Sequence, residues 1–223
     1  MALNDVKTAA AQLTALVADL DDETARGASV LPGWSRGHVI THIANFSEAM
    51  TRQIEEALQG RLVEFYDGGR PARTAAIEAG ADRPATELTS HLLSATTALL
   101  TAWDKVGTDD WSRPITHREG DLTAAVDTTW RELTIHTSDL GLGRTPATWP
   151  PAFCLHLLDF LRPRTPDGVH LILRSDEGTT WENGTGEDHV LTGPLTTLTA
   201  WYAGRTTPVA SITGPVPDLL PWP

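Results

Sequence analysis

The sequence predicts an α+β chain, with an N-terminal four-helix bundle followed by a small C-terminal α/β domain. Three observations point there. Four stretches before residue 140 carry apolar side chains at helical spacing and are long enough to pack side by side. Pro146, Pro150 and Pro151 then cluster where the character of the chain changes. Beyond them, short alternating runs are interleaved with short helical ones, as in one layer of sheet packed on helix. The domains are therefore drawn as 1–145 and 150–223.

The elements follow in order. Val6, Ala10, Leu13, Val17 and Leu20 repeat at helical spacing, so a first helix is expected from Leu3 to about Leu20, stopped by Asp21-Asp22-Glu23. Leu31-Pro32-Gly33-Trp34 reads as a tight turn, and Ser35 is placed to cap a second helix running to about Leu58. Residues 60–83 look irregular, with Gly68-Gly69 and Pro71 as breakers and a short helix over 72–79. Pro84 opens a third long helix carrying Leu88, Leu92, Ala95, Leu99 and Trp103. A long link over 107–120 holds a small hairpin near Pro114, and a fourth long helix runs from Leu122 to Leu140 before Gly141 and Gly143 end it. In the second domain, helices are expected over 152–161 and 194–203. Strands are expected over 169–174, 180–182, 189–192 and 209–213.

Composition narrows the partners. The chain has 223 residues and a formal net charge of −12, which disfavours nucleic acid and anionic membranes, because both repel an acidic surface. A small-molecule substrate remains. Cys154 is the only cysteine, so neither an internal disulfide nor a cysteine-built zinc site can form, and its apolar neighbours Phe153 and Leu155 mark it as a core residue. With no basic and apolar leader and no apolar stretch of membrane-spanning length, the sequence reads as a cytoplasmic protein.

Chemistry concentrates in two pairs. Glu132 and His136 lie four residues apart on the fourth helix, and His38 and His42 lie four apart on the second. That spacing stacks each pair on one helix face. Either pair alone is compatible with a solvated helix surface. Turned inward together, Glu132, His136 and one of the two second-helix histidines make a His/Glu/His set suited to zinc, with a coordination position left open. Spacing does not choose between His38 and His42. Asn45, Thr129 and Asp139, on the same faces, are candidates to orient the imidazoles, and Trp34 and Trp130 are expected close by. No nucleophile elbow, phosphate-cradling loop or dinucleotide fingerprint is present.

The block from Leu31 through Pro-Gly-Trp-Ser-Arg-Gly-His38-Val-Ile-Thr-His42 to Asn45 resembles the mycothiol-dependent maleylpyruvate isomerases, within the wider DinB-like metalloenzyme group. So do Trp130-Arg-Glu132-Leu-Thr-Ile-His136-Thr-Ser-Asp139 and, further on, Leu191-Thr-Gly-Pro and Ala200-Trp-Tyr-Ala-Gly-Arg205. The resemblance implies a DinB-like bundle closed by the C-terminal domain, zinc held by His42, Glu132 and His136, and mycothiol as thiol cosubstrate. It also implies active-site roles for Arg73 and Arg205, with Arg205 near the thiol cofactor. The implied reaction is thiolate addition to a cis-enoyl diacid, bond rotation and elimination. A mycothiol S-transferase acting on another electrophile is the alternative, and a non-catalytic DinB-like binding module is a third. A metal-activated-water hydrolase is weaker, since Glu132 would already be spent as a ligand.

Overall fold

The computed structural model describes residues 2–205 and 211–223, and the chain divides after Arg144 into two compact units. The first holds six helices, α1 (Leu3–Leu16), α2 (Asp22–Arg26), α3 (Arg36–Leu58), α4 (Gly69–Ala81), α5 (Ala85–Trp103) and α6 (Leu122–Asp139). Helix α3 packs on α4, α5 and α6, while α1 packs on α5 and α6, so the four long helices enclose a common core. Val39, Ile43, Met50 and Ile54 of α3 are fully buried, with Leu88 and Leu92 of α5 and Val126 and Leu133 of α6. These are the stripes that helical spacing marks in the sequence.

Local chemistry sets the ends of the helices. The Ser35 hydroxyl accepts the His38 N–H at 3.3 Å, and the Ser35 N–H donates to His38 Nδ1 at 3.2 Å, a reciprocal cap at the start of α3. Two sequence expectations need correction. The first helix stops at Leu16 rather than Leu20, because Asp21 is a cap and not a terminator: its carboxylate accepts the Thr24 N–H at 2.7 Å and opens the short α2. The helix expected over 72–79 is α4, which begins at Gly69 and ends at Ala81. Gly68, with φ of 78°, turns the chain into it, and Pro71 falls in its first turn, where a missing N–H costs no helical hydrogen bond.

Helices α3 and α6 run antiparallel, and the start of one is tied to the end of the other. Arg36 Nε donates to the Leu140 carbonyl at 2.9 Å, and the Val30 N–H donates to the Asp139 carbonyl at 2.9 Å. The second turn of α3 is thereby set opposite the last turns of α6. Helix α4 lies tight on α3: a Cβ at Gly37 would stand 2.1 Å from the Ala81 carbonyl oxygen, so only glycine permits this approach.

The second unit contains α7 (Pro151–Phe160), β1 (Gly168–Ser175), β2 (Thr180–Gly184), β3 (Gly186–Gly193) and α8 (Leu195–Tyr202). The sheet order is β2-β1-β3, with β1 antiparallel to β2 and parallel to β3. Because β1 lies between its partners, the chain must cross past the start of β1 between Gly184 and Gly186. A Cβ at Gly184 would meet the Val169 carbonyl oxygen at 2.3 Å, and one at Gly186 the Gly168 oxygen at 2.1 Å. Of the strand expected over 209–213, residues 209 and 210 lie outside the described residues, and Thr213 makes a single bridge to Thr192. Cys154 is buried on α7, and burial pushes its thiol up to about 11, so it packs rather than reacts. No helix among the described residues is long and apolar enough to cross a membrane.

Candidate metal centre

The antiparallel pairing of α3 and α6 brings His42, Glu132 and His136 together. His42 Nε2 lies 3.1 Å from Glu132 Oε2 and 3.1 Å from His136 Nε2, and the third edge, His136 Nε2 to Glu132 Oε2, is 3.3 Å. A tetrahedral ion with bonds of about 2.0–2.1 Å holds its ligand atoms roughly 3.3–3.4 Å apart, so three atoms with these separations fit three corners of such a site. These residues are a cluster that could hold a metal ion among the described residues. The His42 side chain is 5% exposed, that of His136 15% and that of Glu132 30%, so the cluster is largely buried and Glu132 is its most accessible member.

Electrostatics favour a carboxylate here and divide the two imidazoles. Burial alone would raise the Glu132 carboxyl, but hydrogen bonds to His136 and His42 hold it well below the ordinary range. Burial carries His42 down to about 4 against the opposing pull of Glu132. Burial also pushes His136 downward, yet Asp139 and Glu132 outweigh it and raise the imidazole to about 9.

The outer nitrogens of the two rings meet opposite partners. Asp139, 1% exposed, accepts from His136 Nδ1 at 2.8 Å, which fixes a proton there and turns the Nε2 lone pair toward the cluster. His42 Nδ1 instead faces Arg73 Nη2 at 3.2 Å. A guanidinium only donates, so this contact favours the His42 tautomer protonated on Nε2. An ion at Nε2 requires the other tautomer, and Arg73 and the ion therefore compete for the protonation state of His42.

The remaining sequence candidates are spread more widely. His38 does not join the cluster. It caps α3, reaches Glu78 at 3.3 Å and stacks on Trp34 at 6.0 Å, whose ring also meets His42 edge-on at 5.9 Å. Arg205 belongs to the second unit, where it donates to the Ala203 carbonyl at 3.2 Å and lies over the Trp222 ring at 5.8 Å. Asn45, one turn beyond His42, lines a cavity of about 440 Å³ together with Arg52, Tyr66 and Arg73. In the sequence His117, in a loop beside Arg118 and Glu119, reads as an ordinary histidine, and Tyr66 carries no functional signal. Only the Phe65-Tyr66 pair, aromatic within a stretch otherwise read as irregular, hinted at a packed wall there.

The comparisons with known proteins agree with one another. The family model described as the mycothiol maleylpyruvate isomerase N-terminal domain matches residues 6–141, and that described as the MDMPI C-terminal domain matches residues 148–221. No curated protein matches the chain. Among solved structures, a crystal structure of the mycothiol-dependent maleylpyruvate isomerase aligns with a TM-score of 0.87 at 23% identity, covering 99% of this chain and 95% of that one. A crystal structure of a histidine-to-alanine mutant of the mycothiol-dependent maleylpyruvate isomerase gives 0.86 at 22%, with the same coverage. At such identity the likeness shows a shared fold, whereas the two family models together span nearly the whole chain. The chain belongs to the mycothiol maleylpyruvate isomerase family.

Proposed function

We propose that this protein is a zinc-dependent, mycothiol-using enzyme of the cytoplasm that isomerises a cis-enoyl diacid of the maleylpyruvate type. The convergence of His42, Glu132 and His136 at separations of 3.1–3.3 Å supports this most directly. On this reading residues 1–145 form the metal-binding domain and residues 150–223 contribute Arg205.

When bound, a zinc ion with three protein ligands leaves a position at which a thiol is held as its nucleophilic thiolate. In the reaction a carbon–sulfur bond forms at an alkene carbon, and the π electrons move to the conjugated carbonyl oxygen. The former double bond turns as a single bond. Those electrons then return, the carbon–sulfur bond breaks, and the trans alkene and free thiolate remain. The protein's own groups position and stabilise. Asp139 holds the His136 proton on Nδ1. Arg73, at the rim of the cluster, supplies a donor for a substrate carboxylate or for the developing enolate. Arg205 is proposed as a second cation for the thiol cosubstrate and the diacid.

The test pairs metal analysis with product analysis. Purified protein should carry about one zinc per chain and convert maleylpyruvate to its trans isomer only when mycothiol is present. His42→Ala should lose both the metal and the turnover. Accumulation of a stable thiol conjugate would move the assignment to an S-transferase. Protein that neither holds metal nor turns over any electrophile would leave a binding module.

A further inference from the structure

Tyr66 stands between two cavities of the first unit. One, of about 600 Å³, is lined by Glu64, Phe65, Arg70 and Thr116 as well as Tyr66; the other, of about 440 Å³, by Asn45, Arg52, Arg73 and, again, Phe65 and Tyr66. The Arg73 guanidinium carbon lies 5.9 Å from the centre of the Tyr66 ring, and its terminal nitrogen lies 3.2 Å from His42 Nδ1. The cation is thus placed between an aromatic ring and an imidazole of the candidate metal cluster. Arg73 forms no ion pair among the described residues, so its charge stays open to an anionic ligand, whereas Arg52 in the same cavity is taken up by Asp67 at 2.6 Å.

The ring itself is held firmly. Phe65 meets it edge-on at 4.6 Å, and Phe65 is backed by Phe46 at 5.8 Å and His117 at 4.2 Å. Arg52 donates to the carbonyls of Glu64 at 2.6 Å and Phe65 at 3.2 Å, and Gln53 donates to that of Val63 at 2.7 Å, which clamps the segment entering α4. Burial pushes the Tyr66 phenol up to about 12 against the charge of Arg73, whose guanidinium also hydrogen-bonds to the phenol oxygen, so Tyr66 stays protonated near neutral pH and cannot serve as a base.

We propose that Tyr66 is a positioning and specificity-determining residue: its ring holds the Arg73 guanidinium at the rim of the His42–Glu132–His136 cluster and walls the smaller cavity off from the larger. The smaller cavity then admits a short, anionic cis-enoyl substrate and refuses a bulkier one. The substrate half of this inference rests on the function proposed above; the placement of Arg73 does not.

The experiment compares Tyr66→Phe and Tyr66→Ala with the wild type as zinc-loaded, full-length protein, with Tyr66→Leu as a second truncation should the alanine variant not fold. Zinc content, kcat and KM are measured for maleylpyruvate and for an analogue carrying a larger substituent. Labelling of Arg73 by phenylglyoxal is followed by peptide mass spectrometry. The truncated variant should keep its zinc, show a KM for maleylpyruvate raised about tenfold with a smaller change in kcat, discriminate less against the bulky analogue, and label at Arg73 several-fold faster. Tyr66→Phe, which keeps the ring and loses only the phenol's hydrogen bond to Arg73, should recover most of the wild-type KM and labelling rate. Unchanged KM, preference and labelling on truncation would overturn the inference, as would a phenylalanine variant no better than the truncated one. If the wild type does not act on maleylpyruvate at all, the proposed function fails, and the labelling rates still decide whether Tyr66 holds Arg73.

Discussion

At the level of single residues, the cluster uses like side chains for unlike tasks. His42 and His136 are both imidazoles between α3 and α6, yet Asp139 behind one and Arg73 behind the other assign their protons oppositely. Arg73 is therefore separable from metal binding. In Arg73→Met, the guanidinium no longer competes for the His42 tautomer, so zinc content should be retained with an affinity at least equal to that of the wild type. The variant should nonetheless lose roughly 10²–10³-fold in kcat, the usual cost of removing one donor to a developing negative charge. Chelator competition and steady-state kinetics on the same preparation check both halves.

His117 carries a second prediction. Its Nε2 is buried with no hydrogen-bond partner among the described residues, and burial, with Arg118 adding to it, lowers the imidazole to about 4. An unfolded chain takes up that proton near pH 6.5, whereas the folded one refuses it until about pH 4. Stability is accordingly lost as pH falls through that window. His117→Phe keeps the ring against Phe65 and removes the titration. Its acid-unfolding midpoint, followed by circular dichroism, should shift to lower pH, with stability at pH 7.5 changed little.

Among the elements, the connecting segments matter most, and one buried side chain joins the one that enters α4 to the one between α5 and α6. Gln53, 2% exposed, donates to Val63 O and accepts from Thr116 N and Oγ1 at 3.0 Å and from His117 N at 3.3 Å. Gln53→Ala leaves the Thr116 and His117 N–H groups unsatisfied, while the Val63 carbonyl keeps the Thr116 hydroxyl. At roughly 1–3 kcal/mol for each buried group stranded, the expected loss is about 2–4 kcal/mol. It should be read as a lower urea midpoint with an unchanged slope. Hydrogen exchange should quicken around residues 61–68 and 113–121.

The long helices are legible at this scale because each carries its own apolar stripe, and α3 and α6 also carry a capping side chain, Ser35 and Asp121. Helix α4 was under-read because Gly68, Gly69 and Pro71 break helices when placed inside them and start helices when placed at the first turn. Sequence alone does not say which side of the boundary they occupy. The crossing at Gly184 and Gly186 is not legible locally for a related reason: its demand for glycine comes from Val169 and Gly168 of β1, more than ten residues earlier.

For the molecule as a whole, metal binding and stability should be coupled. An ion that binds only the folded state stabilises by about 2.7 kcal/mol at a hundredfold excess over its Kd. For a chain of this size that raises the unfolding midpoint by roughly 5–10 °C. His42→Ala should abolish the shift. The gain should also be smaller at pH 6 than at pH 8, because His136, raised to about 9, must surrender its proton to the ion and holds it more firmly as pH falls. Differential scanning calorimetry with and without zinc at the two pH values measures this. A pH-independent gain would remove His136 from the ligand set.

The sequence by itself determined which faces of α3 and α6 carry chemistry, since a four-residue spacing is a local property that any helix turns into a shared face. It also determined that the chain forms a helical unit followed by a mixed one, because apolar periodicity and proline clustering are read along the chain without knowledge of the fold. Spacing leaves His38 and His42 open and the resemblance points to His42; only the tertiary structure brings His42 within 3.1 Å of Glu132 and His136 and stands Arg73 and Tyr66 beside them. Those contacts depend on the register between two antiparallel helices. That register is set by contacts between residues a hundred positions apart, such as Arg36 on Leu140, which no local pattern encodes.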